Sequence, residues 1–470
     1  MTITSFRRAL LICLFIALMA AVFTHIPARA AEKTIIGWRH DTTGAFPDAK
    51  TVDSWSPTEN VIWKTKTDKW SNASPVILKD RIFICEEPSS LVCLNRADGT
   101  VMWRRKIEVD SLFTAEEKKS LVENRARGAE IKNRMGKKNR EYRKASRDLK
   151  RDKNNAEFKA RVDTLKADMN VLKKELVPFQ AYLQSPTHNT NGYTSMTPVT
   201  DGQYVVVFFG IEAAACFDLQ GKQQWARRVE GGSGTPSGWG HSCSPVIADG
   251  MVIVHVNRLH ALDLKTGETV WEQDVRIGWG TPIIADVDGL KVTIPASGEI
   301  LRVKDGKKLT SAPLNRLEYN SAAFKDGIVY FIQTRSSAFE LKRKGDTLEV
   351  KKLWEQTIKK DRYYASPLIH EGLVYDITQA GILTVLDAKD GKEVYTHAFK
   401  FGKGTFYTSV TLIGNQVLVA NEKGRIAVFE PGRDFKLIGE IKFEAFRSSP
   451  VALDGRIYLR GLQNMYCIGK

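Results

Sequence analysis

Short apolar runs recur along most of this chain, each ended by a turn that contains glycine. One pattern repeats: Ser/Thr-Pro-apolar, an acidic-Gly turn, an apolar strand, Leu-x-Ala-Leu-Asp, a Gly turn and Trp. Its cleanest copy runs Ser244-Pro245-Val246-Ile247, Asp249-Gly250, Val252-Ile253-Val254, Leu259-His260-Ala261-Leu262-Asp263, Thr266-Gly267 and Trp271. Copies begin at Ser74, Thr197, Ser244, Thr281, Ser321, Ser366, Ser409 and Ser449, and after a long first interval they are spaced 47, 37, 40, 45, 43 and 40 residues. Eight copies at that period predict an all-β, eight-bladed β-propeller, four short antiparallel strands per copy. Asp201-Gly202, Asp249-Gly250, Asp288-Gly289, Asp326-Gly327 and Asp454-Gly455 fall between apolar runs, where a tight hairpin needs positive φ. Many carboxylates are thereby turn residues, which leaves few candidates for acid/base work.

The ends complete the pattern. The eighth copy stops one strand short, at Met465-Tyr466-Cys467-Ile468, while Val61-Ile62-Trp63 matches Val101-Met102-Trp103 and Thr269-Val270-Trp271. The N-terminal strand is therefore expected to close the last blade and remove two sheet edges. Cys93, Cys216 and Cys467 occupy the position of Ala261, a small core site. Cys85 could meet Cys93 across a hairpin, although register argues against a bond.

The first interval is 123 residues, so about eighty are inserted between blades one and two. Phe158, Val162, Leu165, Met169, Leu172 and Leu176 are spaced 4-3-4-3-4, a coiled-coil seam. A weaker seam runs through Leu121, Ile131, Met135, Tyr142, Ala145 and Leu149, with a turn at Arg151–Asn155. Residues 111–184 thus read as a helical hairpin. It is either a solvated decoration or an arm that docks a partner or an anionic surface.

Composition is that of a globular protein: 470 residues, 43% hydrophobic and 26% charged. Residues 9–23 form an apolar run preceded by Arg7 and Arg8 and followed by Ala28-Arg29-Ala30, the form of a secretory signal and too short for a membrane span. The expected organisation is a signal at 1–30, a leader at 31–60, the closing strand and first blade at 61–110, the hairpin at 111–184 and blades two to eight at 185–470. The chain is thus expected to be exported, periplasmic or secreted, and not membrane-spanning after signal removal. Residues 111–184 hold 20 Lys/Arg against 11 Asp/Glu, so the basic excess belongs mainly to the insert. Export and the mixed charge signs disfavour nucleic acid as a partner.

In a propeller the residues just before each Ser/Thr converge at one mouth of the central channel. Here they include Trp70, Asn72, Tyr193, Trp239, His241, Trp279, Tyr319, Asn320, Arg362, Tyr363, Tyr364, Tyr407 and Arg447. Aromatic walls with a few amide, imidazole and guanidinium groups form a candidate ligand site. The competing reading wedges those rings between blades. Trp103, Trp225, Trp271 and Trp354 fall on final strands and read as structural. His40 and His188 lack a second histidine at metal spacing, and no phosphate loop or nucleophile elbow stands out.

Leu259–Trp271 resembles the tryptophan-docking repeat of the PQQ-like, quinoprotein-type β-propeller superfamily, over roughly residues 61–104 and 193–468. The resemblance implies one of two branches. A quinoprotein dehydrogenase for alcohols or sugars would hold PQQ and calcium, usually with adjacent cysteines facing the cofactor; this chain has no Cys-Cys pair. A BamB-like branch implies a non-catalytic binding or scaffold protein of the cell envelope, with no cofactor or metal and with a protein or envelope component as partner. This chain lacks that branch's lipobox and adds the basic insert. The second reading is preferred, with glycan binding on the aromatic platforms as a further alternative.

Overall fold

The computed structural model describes residues 34–50, 54–183, 187–210, 212–229 and 238–469; the signal expected at 1–30 lies outside them. The described residues form a propeller-like array of antiparallel sheets, eight in all, with two long helices set into it. Within most sheets the strands lie in sequence order, so each copy of the repeat folds upon itself. The Asp-Gly turns explain how. Asp249 and Gly250, like Asp288 and Gly289, both take positive φ, the geometry of a two-residue turn whose twist matches its strands.

Register accounts for the small residue in Leu-x-Ala-Leu-Asp. Ala261 lies opposite Trp271, Cys93 opposite Trp103, Cys216 opposite Trp225 and Cys467 opposite Trp63. A cross-strand indole leaves room beside it only for Ala or Cys. Each of these Trp side chains then reaches the following sheet. Trp225 Nε1 donates to Leu264 O at 2.9 Å, Trp271 to Val303 O at 2.8 Å and Trp354 to Ala388 O at 2.9 Å. Next to each acceptor a turn glycine lies on the ring: a Cβ on Gly267 would come within 2.6 Å of Trp225.

The N-terminal strand follows the same rule. β1 (Ala45–Phe46) precedes β2 (Val61–Lys66), and β2 pairs antiparallel with the Asn464–Ile468 strand of the last sheet. Trp63 of β2 donates to Arg96 O of the first sheet at 3.0 Å. Cys85 faces Leu91 and Cys93 faces Phe83, so their side chains do not meet; all five described cysteines are free and buried.

Two sheets depart from the expected four strands. The fourth keeps only Ile283–Val287, Leu290–Ile294 and Leu301–Arg302, its outer position reduced to a single bridge between Leu301 and Lys308. The seventh gains β1, which lies parallel to Thr411–Ile413. The leader supplies that added strand. Its Ile35 bridges Ile77 of the first sheet, and Thr200 of the second donates to Ile36 O at 2.8 Å. The chain then reaches the far side, where Leu412 donates to Gly44 O at 3.0 Å.

The insert forms α1 (Ala115–Arg151) and α2 (Ala156–Leu176). Thr114 and Glu117 make a capping box at the start of α1, and Asn155 caps α2 by accepting from Glu157 and Phe158. Ala145, Val162 and Leu165 are buried between the helices. At the base, Arg228 of the second sheet pairs with Glu117 at 2.8 Å and lies over the Phe113 ring.

Candidate functional site

The inner strand of each sheet starts at the Ser/Thr of the repeat, and these residues bond one to the next. Ser74 N–H donates to Thr197 Oγ1, Thr197 to Ser244 Oγ and Ser244 to Thr281 Oγ1; Ser321 donates to Ser366, Ser366 to Ser409, Ser409 to Ser449, and Ser449 back to Ser74. The sequence needs Ser or Thr there because only a short hydroxyl accepts from the neighbouring backbone at so tight a radius. The step from Thr281 to Ser321 lacks this bond among the described residues, and Ser321 Oγ has no partner. There Gly280 lies so close to the Asn320 carbonyl that no side chain could intervene.

A cavity of about 390 Å³ stands on this circuit. Asn72, Trp239, Trp279, Tyr319, Arg362, Tyr364, Tyr407 and Arg447 line it, as expected of residues that precede the Ser/Thr. Four rings from successive sheets touch in an arc: Trp279 stacks on Tyr319 at 5.4 Å, Tyr319 meets Tyr364 edge-on at 4.9 Å, and Tyr364 meets Tyr407 at 5.0 Å. These rings zip adjacent sheets and also wall the cavity.

Five expected lining residues do not reach the cavity. His241 is 1% exposed, with Nε2 unpartnered. Asn320 is equally buried and donates to Ile332 O at 2.8 Å. Tyr363 is buried, and its hydroxyl bonds Lys359 O. Trp70 lies against Gly192, and Tyr193 donates its N–H to Glu87 Oε1 at 2.8 Å. Side chains alternate along extended backbone, so a run such as Tyr363-Tyr364 sends one ring into the wall and one into the cavity.

Two contributors lay outside the sequence expectation. The first is Trp38 of the leader, which lines the same cavity. Leader contacts at Ile77, Thr200 and Leu412 all come three residues after the Ser/Thr, at the opposite end from the mouth. Trp38 therefore forms a floor. Its neighbour Arg39 is 2% exposed and donates Nη2 to Thr43 O, Pro367 O and Val410 O at 2.7, 2.9 and 2.8 Å. Burial pulls its pKa down to about 9, against attraction by Asp41 and Asp376. Nothing local in the sequence around Trp38-Arg39 says that it crosses beneath the sheets.

The second is the segment that returns from the insert. Asn191 Nδ2 donates to Trp239 O and His241 O, both at 2.9 Å, and His188 stacks on the Trp239 ring at 4.2 Å. Asn72 Nδ2 donates to Thr190 O at 2.8 Å and Asn191 O at 3.0 Å. The return segment thus bridges the third sheet to the first and narrows the mouth.

Electrostatically the cavity is mixed. Arg447 is held by Glu422 at 3.0 Å, whereas Arg362 is exposed and its guanidinium donates to the Tyr364 hydroxyl at 3.4 Å. Burial, and then Glu318, raises the Tyr319 pKa; burial, and then Glu422, raises that of Tyr407. Both phenols keep their protons at neutral pH and can donate. Among the described residues no three His, Cys, Asp or Glu side chains converge on a metal-sized site.

Sheets of Trp-docked repeats around an axial cavity define a PQQ-like repeat propeller. The model of the family described as outer membrane protein assembly factor BamB matches residues 174–349 and 296–468, more than half of the chain, and the chain belongs to that family. Among solved structures it is similar to BamB from Moraxella catarrhalis, at 11% identity and a TM-score of 0.55 over 87% of this chain and 99% of that one. Similar too are the computationally designed Ika8 protein, at 9% identity and a TM-score of 0.52 over 87% and 99% of the chains, and quinohemoprotein alcohol dehydrogenase from Comamonas testosteroni, at 11% identity and a TM-score of 0.52 over 90% and 78%. These likenesses concern the fold alone. No curated protein matches the sequence.

Proposed function

We propose that the protein is an exported, eight-bladed propeller, closed through β2, that binds an envelope component or protein segment in its mouth without transforming it. The cavity supports this reading: it has a Trp38 floor, aromatic walls and one exposed guanidinium, Arg362. Such a surface grips an apolar or aromatic anchor and orients its polar end.

The residues do not fit a calcium–quinone pair. Calcium takes six to eight oxygens and favours carboxylates; Glu318 is the single carboxylate among the lining residues. None of the described cysteines lines the cavity.

Two experiments test the proposal. In pull-downs from envelope extract, the intact protein retains a partner that Trp279→Ala/Arg362→Ala/Tyr364→Ala loses. Incubation with PQQ and calcium gives no dye-linked oxidation of alcohols or sugars. Turnover under those conditions, abolished by the triple substitution, overturns the proposal.

A further inference from the structure

The strongest charge asymmetry in the molecule lies on α1. Residues 132–151 contain ten Lys/Arg and two Asp/Glu. The buried side of α1 runs through Gly128, Ile131 and Ala145, with Tyr142 and Leu149 packed beside α2. At 3.6 residues per turn, the positions diametrically opposite that seam are 133, 137, 140, 144, 147 and 151. From 137 onward every one is basic: Lys137, Arg140, Lys144, Arg147 and Arg151. All five are exposed.

The ion pairs of the arm lie elsewhere. Arg134 meets Glu175 at 3.1 Å and Lys138 meets Asp168 at 2.8 Å, tying α1 to α2 along the flank. Lys119–Glu123 and Lys166–Asp163 are pairs within one helix, and Arg228–Glu117 anchors the base. Among the described residues none takes a residue of the row, so five cations project as a line about 21 Å long. Toward the base the same face of α1 turns to Asn133, Ala129, Ala126 and Val122, so the charge is confined to the distal half.

We infer that the distal outer face of α1 is a docking surface for an anionic phospholipid membrane. The row is unbroken by any aromatic or exposed apolar side chain. A protein groove would need apolar or aromatic anchors, and a single-stranded nucleic acid would need stacking platforms. Diffuse headgroup phosphates need only positive charge on a rigid support. The row begins about 30 Å along α1 from Glu117, which anchors the arm to the second sheet.

Cosedimentation of the full chain with vesicles tests this. The protein binds vesicles containing phosphatidylglycerol, does not bind pure phosphatidylcholine, and is released by salt. The variant Lys137→Gln/Arg140→Gln/Lys144→Gln/Arg147→Gln/Arg151→Gln loses at least about tenfold in affinity, since each basic residue near such a surface adds to the attraction. A second variant neutralises five exposed lysines of the sheets, Lys344, Lys351, Lys360, Lys400 and Lys442; it binds like the parent. Circular dichroism melts of both variants match the parent, as expected for exposed positions. Equal loss in the two variants, or retained binding in the first, sinks the inference. So does a first variant that loses affinity for polyuridylate while keeping it for the vesicles.

Discussion

The main-chain N–H of Ser449 donates to Ser74 Oγ at 2.9 Å across 375 residues of sequence. The bond unites the inner strands of the last and first sheets, and it has the same donor, acceptor and geometry as six others around the cavity. A series of such bonds that runs from the last copy back to the first, open only between Thr281 and Ser321 among the described residues, is the strongest local support for the proposed ring. Trp63 reaching Arg96 O supports it from the outer edge.

The circuit predicts a contrast between two serines. Ser74→Ala strands the buried Ser449 N–H and costs about 1–3 kcal/mol. Ser321→Ala removes a hydroxyl that already has no partner and is near neutral or stabilising. Urea denaturation of both variants checks this; equal losses would refute the circuit.

Two turn glycines separate backbone strain from indole packing. Gly250 and Gly267 both have φ of +74°, yet a Cβ at Gly250 meets nothing within 4 Å whereas one at Gly267 strikes Trp225. Both Ala variants carry the left-handed backbone penalty of roughly 1–2 kcal/mol. Gly267→Ala additionally displaces the docked ring, so its thermal midpoint falls well below that of Gly250→Ala.

The third sheet carries an acid sensitivity. Burial lowers the His241 pKa to about 4, and burial with His241 and His260 nearby lowers that of His255 to about 3. Both are neutral in the folded state and bind a proton more readily when unfolded. Their contribution is therefore complete above pH about 6.5 and is lost as pH falls toward 4. Asp376, pushed well up by burial, acts in the opposite sense, so a difference between variants carries the test. His241→Asn flattens the decline of thermal midpoint between pH 7 and pH 4.5. An unchanged slope would count against it.

Burial raises the pKa of all five described thiols. Iodoacetamide at pH 8 leaves them unmodified in the native protein and alkylates all five in guanidinium, as mass spectrometry would read. Native labelling of Cys85 or Cys243 would reveal an opening of the inner strands.

The repeat was legible because its punctuation is local: Asp-Gly sets a turn, and Trp opposite Ala or Cys sets a register. The walls of the cavity were legible for the same reason, since the Ser/Thr marks where each inner strand begins. What escaped was decided by tertiary placement. Nothing around Trp38 shows that it reaches the cavity, because its neighbours Ile35 and Arg39 are held by sheets more than 30 and more than 300 residues away. Tyr363 and Tyr364 are chemically alike, and only the pleat decides which one faces inward. The weakened fourth sheet follows from the Gly298–Leu317 stretch, whose backbone bonds close a loop on itself instead of extending a strand.

The crossing of Ile35–Phe46 beneath the sheets orders the events of synthesis. That segment is translated before the sheets, yet Pro367 and Val410, which accept from Arg39, and the Thr411–Ile413 partner of β1 lie beyond residue 366, and β2 pairs with Asn464–Ile468. Ile35 and Ile36 can meet Ile77 and Thr200 early, but Arg39, β1 and β2 lack their distant partners until most of the polypeptide is translated. Pairing of β2 is thus a late event, and a nascent chain stalled before residue 464 would leave that strand without its partner.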